Sequence, residues 1–106
     1  MPAKIYRAAQ ARLLEIWDYT ERMWGEAQAD DYVRELVAAA HQASEDRTRW
    51  RLLKNRAVHG VFFIRHRNHF IFFRELFSGE IGVISILHEN MDLPARLFED
   101  VKTHDF

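Results

Sequence analysis

His88, Arg65 and Arg74 are the residues of this chain with the best claim to chemistry. A histidine that exchanges a proton, with cations that stabilise a phosphorane-like charge and the leaving oxygen, is the equipment of a metal-independent ribonuclease. Placed on neighbouring strands, these three could supply it. However, Glu89-Asn90-Met91-Asp92 follows His88 directly and would set negative charge beside a bound phosphate. The simpler role for His88 is a strand-end residue hydrogen-bonded to Asp92. His66 and His69 lie three apart with His59 upstream, but no Cys, His-x-x-x-His or paired carboxylate accompanies them, so no metal site is assigned. There is no GxGxxG or P-loop pattern, and hence no indicated cofactor. Ser78 in a turn and Ser85 in a strand have adequate structural roles. No catalytic residue is assigned, and the chain is read as a non-enzyme.

The charges are sorted along the chain although the net charge is only −1. Arg47, Arg49, Arg51, Lys54, Arg56, Arg65, Arg67 and Arg74 fall in one stretch without an acidic residue, while acidic groups dominate on either side. Such a stretch makes a local positive field that favours and steers anionic partners. With Trp50 and His88, its residues Arg47, Arg49, Arg51, Lys54, Arg56, Arg65 and Arg74 form the expected binding set. A net charge near zero makes direct nucleic-acid binding a poor expectation, and the anionic partner of the stretch is an acidic antitoxin, an acidic target surface or, against that balance, a phosphate backbone.

These residues need a scaffold, and 106 residues at 48% hydrophobic content suffice for one domain with one core, over 1–106. The absence of cysteine suits a reducing compartment. With no signal-like N-terminus and no apolar run of membrane-span length, a cytoplasmic protein is expected. Ala3–Arg7 alternates weakly around Ile5 and predicts a short first strand. Ala9, Leu13, Ile16, Trp17 and Trp24, with Thr20 in the same stripe, predict a helix over 8–24 that stops at Gly25. Ala29, Tyr32, Val33, Leu36, Val37 and Ala40 predict a second helix over 26–44, antiparallel to the first. Trp17 and Trp24 are assigned to packing within this hairpin, and Trp50 to a contact surface.

After Trp50 the pattern changes. Val58–Ile64, His69–Glu75 and Ile81–His88 are rich in β-branched and aromatic residues and separated by short polar connectors, which predicts an antiparallel meander. The fold class is therefore α+β, with a helical hairpin on a three- to four-stranded antiparallel sheet. Both faces of this sheet read apolar. Phe70 and Phe72 oppose Ile71 and Phe73, and Val83 and Leu87 oppose Ile84 and Ile86. The hairpin can cover one face; the other needs a partner or, alternatively, the segment Leu93–Phe106 folded back with Leu97 and Phe98. A partner is the favoured cover, since an exposed apolar patch of that size marks an interaction site.

Three segments carry a resemblance. Ile16-Trp17-Asp18-Tyr19-Thr20-Glu21-Arg22-Met23-Trp24-Gly25-Glu26-Ala27-Gln28-Ala29-Asp30 and Ile86-Leu87-His88-Glu89-Asn90-Met91-Asp92-Leu93-Pro94 resemble the two signature regions of the ParE family, toxins within the RelE/ParE superfamily of bacterial toxin–antitoxin systems. Asn68-His69-Phe70-Ile71-Phe72-Phe73-Arg74 is similar to its third landmark, and Gly60 matches a family glycine nine residues before the strand histidine. The resemblance implies a helical hairpin on an antiparallel sheet, inhibition of DNA gyrase by protein contact, and neutralisation by a ParD-like antitoxin in a hetero-oligomer. Phe62 stands where many relatives have Arg, and Arg47–Arg56 is more basic than the Pro/Gly-containing loop common in relatives. Both departures fall where partner and target are read. The alternatives are a ribosome-dependent mRNA endonuclease of the RelE type, which usually has Arg, Lys or Tyr where this chain has His-x-x-Met-Asp, and a non-toxic relative that binds an antitoxin.

Overall fold

The computed structural model of the chain describes residues 3–102. In order, these form β1 (Lys4–Ile5), α1 (Arg7–Trp24), α2 (Glu26–Glu45), one 3-10 turn (Arg47–Arg49), β2 (Arg51–Leu52), β3 (Phe62–His66), β4 (His69–Glu75), β5 (Ile81–His88) and α3 (Leu93–Lys102). The α+β class and the helical hairpin are as expected. Gly25 closes α1 at φ 97°, its N–H donating to the Glu21 carbonyl at 2.9 Å, and its own carbonyl accepts from Ala29 inside α2. A side chain would be strained at that φ, so one glycine ends one helix and admits the next.

The sheet departs from expectation in two ways. Its order is β1-β5-β4-β3-β2, five strands rather than three or four, and β1 runs parallel to β5, so it is mixed. The short first strand expected around Ile5 is β1, and the added strand is β2, whose two residues are too few for alternation to show in sequence; the direction of β1 is set by a partner at the far end of the chain. The meander itself is antiparallel throughout. Gly82 sits where β1 leads into α1. A Cβ there would lie 2.2 Å from the Tyr6 ring, so glycine is needed for the close approach.

One face of the sheet holds Ile64, Ile71, Phe73, Ile81, Val83 and Ile86 against the hairpin. Buried Ala9, Ala39, Ala40 and Ala43 let the helices lie close to the strands, and Leu36 is fully buried among them. The other face holds Val58, Val61, Phe72, Ile84 and Leu87, and α3 covers part of it through Leu93, Leu97 and Val101. The segment after β5 therefore does fold back over part of this face, as the alternative to a partner had it. Asp92 starts α3, its carboxylate 3.4 Å from the Ala95 N–H, and Pro94 occupies the first turn, where its missing N–H costs nothing. Phe98 points outward, 45% exposed, and residues 103–106 of the expected cover lie outside the described residues.

The phase within β5 also differs from expectation. Phe72 pairs with Ser85 and Phe73 with Val83, leaving Ile84 as the extra residue of a β-bulge. Val83 and Ile86 consequently face the hairpin, while Ile84 and Leu87 face α3. Strict alternation cannot foresee an inserted residue.

A buried polar network joins the two layers. The Arg12 Nε and Nη2 atoms of α1 donate to both carboxylate oxygens of Asp100 in α3, at 2.9 and 3.0 Å, and Ser85 Oγ of β5 donates to the same carboxylate at 2.6 Å. All three residues are buried. The Asp100 carboxylate raises the pKa of the Arg12 guanidinium further, outweighing the burial that would lower it.

Candidate functional site

At the β3–β4 turn the sheet gathers a cluster of titratable groups. The register places His66 beside His69 and His69 beside His88. The rings of His69 and His88 meet edge to face at 5.1 Å, and Tyr32 of α2 shares a 2.5 Å hydrogen bond with His69 Nδ1. Burial, then the neighbouring His88 and His66, push the pKa of His69 down to about 4, so it is neutral at physiological pH. Burial likewise raises Tyr32, which keeps its proton. Glu35 of α2 accepts from His66 Nε2 at 3.0 Å and from Arg67 Nε at 3.1 Å, and is held below the usual carboxylate range by His66 first. Arg67 adopts φ 53°, uncommon for a residue with a side chain, and its carbonyl accepts from Arg65 Nε.

Tyr32, Arg67, His69 and His88 of this cluster line a cleft of about 760 Å³ that runs along the hairpin. Ile16, Tyr19, Trp24 and Met91 supply its apolar surface. Trp24, expected to pack within the hairpin, is instead 67% exposed and lines the cleft. Trp17 does bind within the hairpin, its indole donating to Asp30 at 2.9 Å. A second, smaller recess of about 160 Å³ opens on the α3 face between Leu53, Phe63, Phe70, Phe72, Leu93 and Pro94. The segment leading into α3 touches both, Met91 lining the cleft and Leu93 and Pro94 the smaller recess.

The expected binding residues divide into two groups. Arg49, Arg51, Lys54 and Arg56 are exposed, and among the described residues they form no ion pair. Arg47 pairs with Glu75 and stacks at 4.4 Å over Trp50. Trp50 itself packs on Phe62 and Phe73 and donates to the Ala43 carbonyl at 2.6 Å, so it is a packing residue and not the contact surface expected. Arg65 pairs with Glu89. Arg65 lies opposite Phe70, whereas Arg74 lies four residues further along β4, roughly 13 Å at the rise of an antiparallel strand. The three chemical candidates are therefore not brought together. His88 also differs from expectation, its Nδ1 accepting from the Asn90 N–H at 3.0 Å while Asp92 serves α3.

Sequence reasoning did not find Arg12, Asp100, Tyr32 or Glu35. Arg12 and Asp100 are separated by 88 positions, and no local pattern pairs them. Tyr32 was assigned to an apolar stripe, which hides a hydroxyl that reaches a histidine. Among the described residues no group of three or more His, Cys, Asp or Glu could hold a metal, and no helix is long and apolar enough to cross a membrane.

Comparison with known proteins agrees with this architecture. The chain is 37% identical over 90 residues to Toxin ParE1 of Mycobacterium tuberculosis, covering 85% of this chain and 91% of that one. It is 32% identical over 96 residues to Toxin ParE1 of Caulobacter vibrioides, covering 91% and 97%. The solved chromosomal ParDE TA system from P. aeruginosa includes a chain of the same fold, with a TM-score of 0.67 at 22% identity over 83% of this chain and 95% of that one. Residues 4–93 match the family described as the ParE toxin of the type II toxin–antitoxin system parDE, and the chain belongs to that family.

Proposed function

We propose that this chain arrests growth by inhibiting DNA gyrase through protein contact, and that a ParD-like antitoxin neutralises it by wrapping around the segment at Met91–Pro94. The observation that carries the antitoxin reading is that one short segment lines both recesses, Met91 the cleft and Leu93 and Pro94 the smaller one. An amphipathic helix can set apolar anchors against Ile16, Tyr19, Trp24 and Met91, the mode in which side chains at i, i+3, i+4 and i+7 fill a groove. The chain then passes Leu93 and Pro94 to Phe63 and Phe70 and reaches the exposed cations Arg51, Lys54 and Arg56. Acidic residues on that stretch of antitoxin meet opposite charge. Contact inhibition of the target fits the dispersal of His88, Arg65 and Arg74 described above, since a nuclease needs such groups converged on one phosphate.

Two measurements test this. Replacing Arg51 and Lys54 with Ala should slow antitoxin association and flatten its salt dependence, while Phe70→Ala should mainly speed dissociation. If association rate and salt dependence do not move, the basic stretch is not a docking surface. The purified chain should inhibit gyrase supercoiling and leave translation intact, with His88→Gln as active as the wild type. Site-specific cleavage of ribosome-bound mRNA, lost in His88→Gln, would instead make the chain an endonuclease of the RelE type.

A further inference from the structure

Phe77 is the most exposed large apolar residue among those described, at 114% of its reference area. It stands at the tip of the β4–β5 turn, and that turn is held firmly: Leu76 N–H donates to the Glu80 carbonyl at 2.8 Å, and Gly79 N–H donates to the Leu76 carbonyl at 2.9 Å. The tip is thus a presented side chain on a built turn. An isolated exposed apolar residue is ordinary, but this one has charged company. β2 runs antiparallel to β3, and β3 antiparallel to β4, so the chain leaves β2 toward the same end of the sheet that β4 reaches at Glu75. The Asn55–Val58 bridge closes a tight turn there that holds Arg56 and is entered from Lys54, both exposed and without ion pairs among the described residues. His59 is exposed beside them. This end lies roughly 20 Å along β4 from the His69 cleft, at the rise of an antiparallel strand.

We propose that the Phe77 tip and the Lys54–Arg56 turn form the surface that engages the protein target, with Phe77 entering an apolar pocket rimmed by acidic residues. The inference rests on the toxin reading and assigns that reading its contact end. A lone aromatic in solvent gives its apolar area only when a partner buries it, and interface energy concentrates in such central aromatic anchors. The basic turn selects an acidic rim and speeds encounter. Lys54 and Arg56 also end the antitoxin's path, so a bound antitoxin withholds them from the target, and neutralisation becomes competition for shared cations. Phe77 lines neither recess and belongs to the target surface alone.

The test compares the wild type with Phe77→Ser and Phe77→Leu for growth arrest, for inhibition of purified gyrase and for affinity to the antitoxin. Phe77→Ser should weaken arrest and gyrase inhibition by about tenfold or more, the size of an anchor loss, while Phe77→Leu retains most of both. Antitoxin affinity should stay within about twofold and the melting temperature should not move, because Phe77 supports nothing inside the fold. Undiminished arrest by Phe77→Ser overturns the proposal, as does an equal loss of antitoxin affinity. Wild-type arrest without gyrase inhibition rejects gyrase as target, and the Phe77 comparison is then read from arrest alone. A wild type that arrests nothing overturns both readings. If binding of the wild type to anionic vesicles or to duplex DNA falls with Phe77→Ser while gyrase inhibition does not, the tip serves a different surface and the proposal also fails.

Discussion

The two faces of the sheet are covered by different means. On the hairpin side, two helices of 18 and 20 residues bury alanines and Leu36 against mostly aliphatic strand positions, with Tyr32–His69 and Glu35–His66 as polar links at one end. On the other side a single ten-residue helix covers part of the face, and it is tied down by Arg12, Asp100 and Ser85. A short helix cannot bury enough apolar area to fix its own position, so charge and geometry hold it. The hairpin face is thus held mainly by apolar packing, and the α3 face leaves the recess of Leu53, Phe63, Phe70 and Phe72 open.

The largest test of this difference is Asp100→Ala. It leaves the Arg12 guanidinium buried without its main partner, and breaking a buried pair from one side costs about 3–5 kcal/mol. Urea denaturation should show this loss, and antitoxin affinity should fall as well because α3 forms one side of the smaller recess. Changing Arg12 to Met and Asp100 to Leu together should recover most of the stability, since a well-packed apolar replacement is often neutral or better. Near-wild-type stability for Asp100→Ala would show that the apolar contacts of Leu93, Leu97 and Val101 hold α3 unaided.

Leu36→Ala probes the other face. A fully buried leucine truncated in a close-packed core costs about 2–5 kcal/mol. Here antitoxin affinity should be preserved wherever the variant remains folded, because Leu36 lines neither recess. If affinity falls in step with stability for both substitutions, the faces do not differ in the way described.

What the sequence made legible follows the same division. The helices were readable because their apolar stripes repeat over many turns and Gly25 punctuates them, and β4 and β5 because long β-branched and aromatic runs have few other solutions. The cover of the second face was not readable. Leu93–Lys102 is short, carries Pro94, and becomes a helix through Asp92 and through contacts with residues far away in sequence. The bulge at Ile84 and the parallel pairing of β1 are likewise decided by tertiary partners. At the candidate site, Arg49, Arg51, Lys54 and Arg56 of the charge run are exposed. Trp50 and His88 took other partners, Ala43 and Asn90, which no spacing rule names.

The histidine cluster gives a third, smaller contrast between the faces. His69, packed on the hairpin side under Tyr32, has its folded-state pKa lowered to about 4 from an unfolded value near 6.5. Between these values the unfolded chain binds the proton more readily, so stability falls as pH drops through that window and is regained above it. Solvent reaches part of the group, which limits the loss to roughly 2 kcal/mol. The Glu35 carboxylate, lowered by His66, acts in the same direction, adding stability above its unfolded pKa that is lost on acidification. Melting temperatures from pH 7 to pH 4 should fall more steeply for the wild type than for His69→Gln. Parallel curves would mean that His69 is protonated as easily folded as unfolded.

The smallest effect concerns Trp50, which lies where the hairpin layer meets the basic edge. Its indole N–H donates to the last buried turn of α2 at Ala43, and its ring rests on Phe62 and Phe73 beneath the Arg47 guanidinium. Phenylalanine keeps most of the apolar contact but loses the hydrogen bond, leaving a carbonyl at a helix end that water can reach. A net loss of about 1 kcal/mol is expected for one such bond. If Trp50 belongs to the packed layer, Trp50→Phe should show this loss in denaturation while antitoxin and target affinities stay at wild-type values. If it belongs to the contact surface of the basic stretch, the same substitution should leave stability nearly unchanged and weaken binding. The geometry decides for packing, because the one polar atom of the side chain is already committed inside the chain.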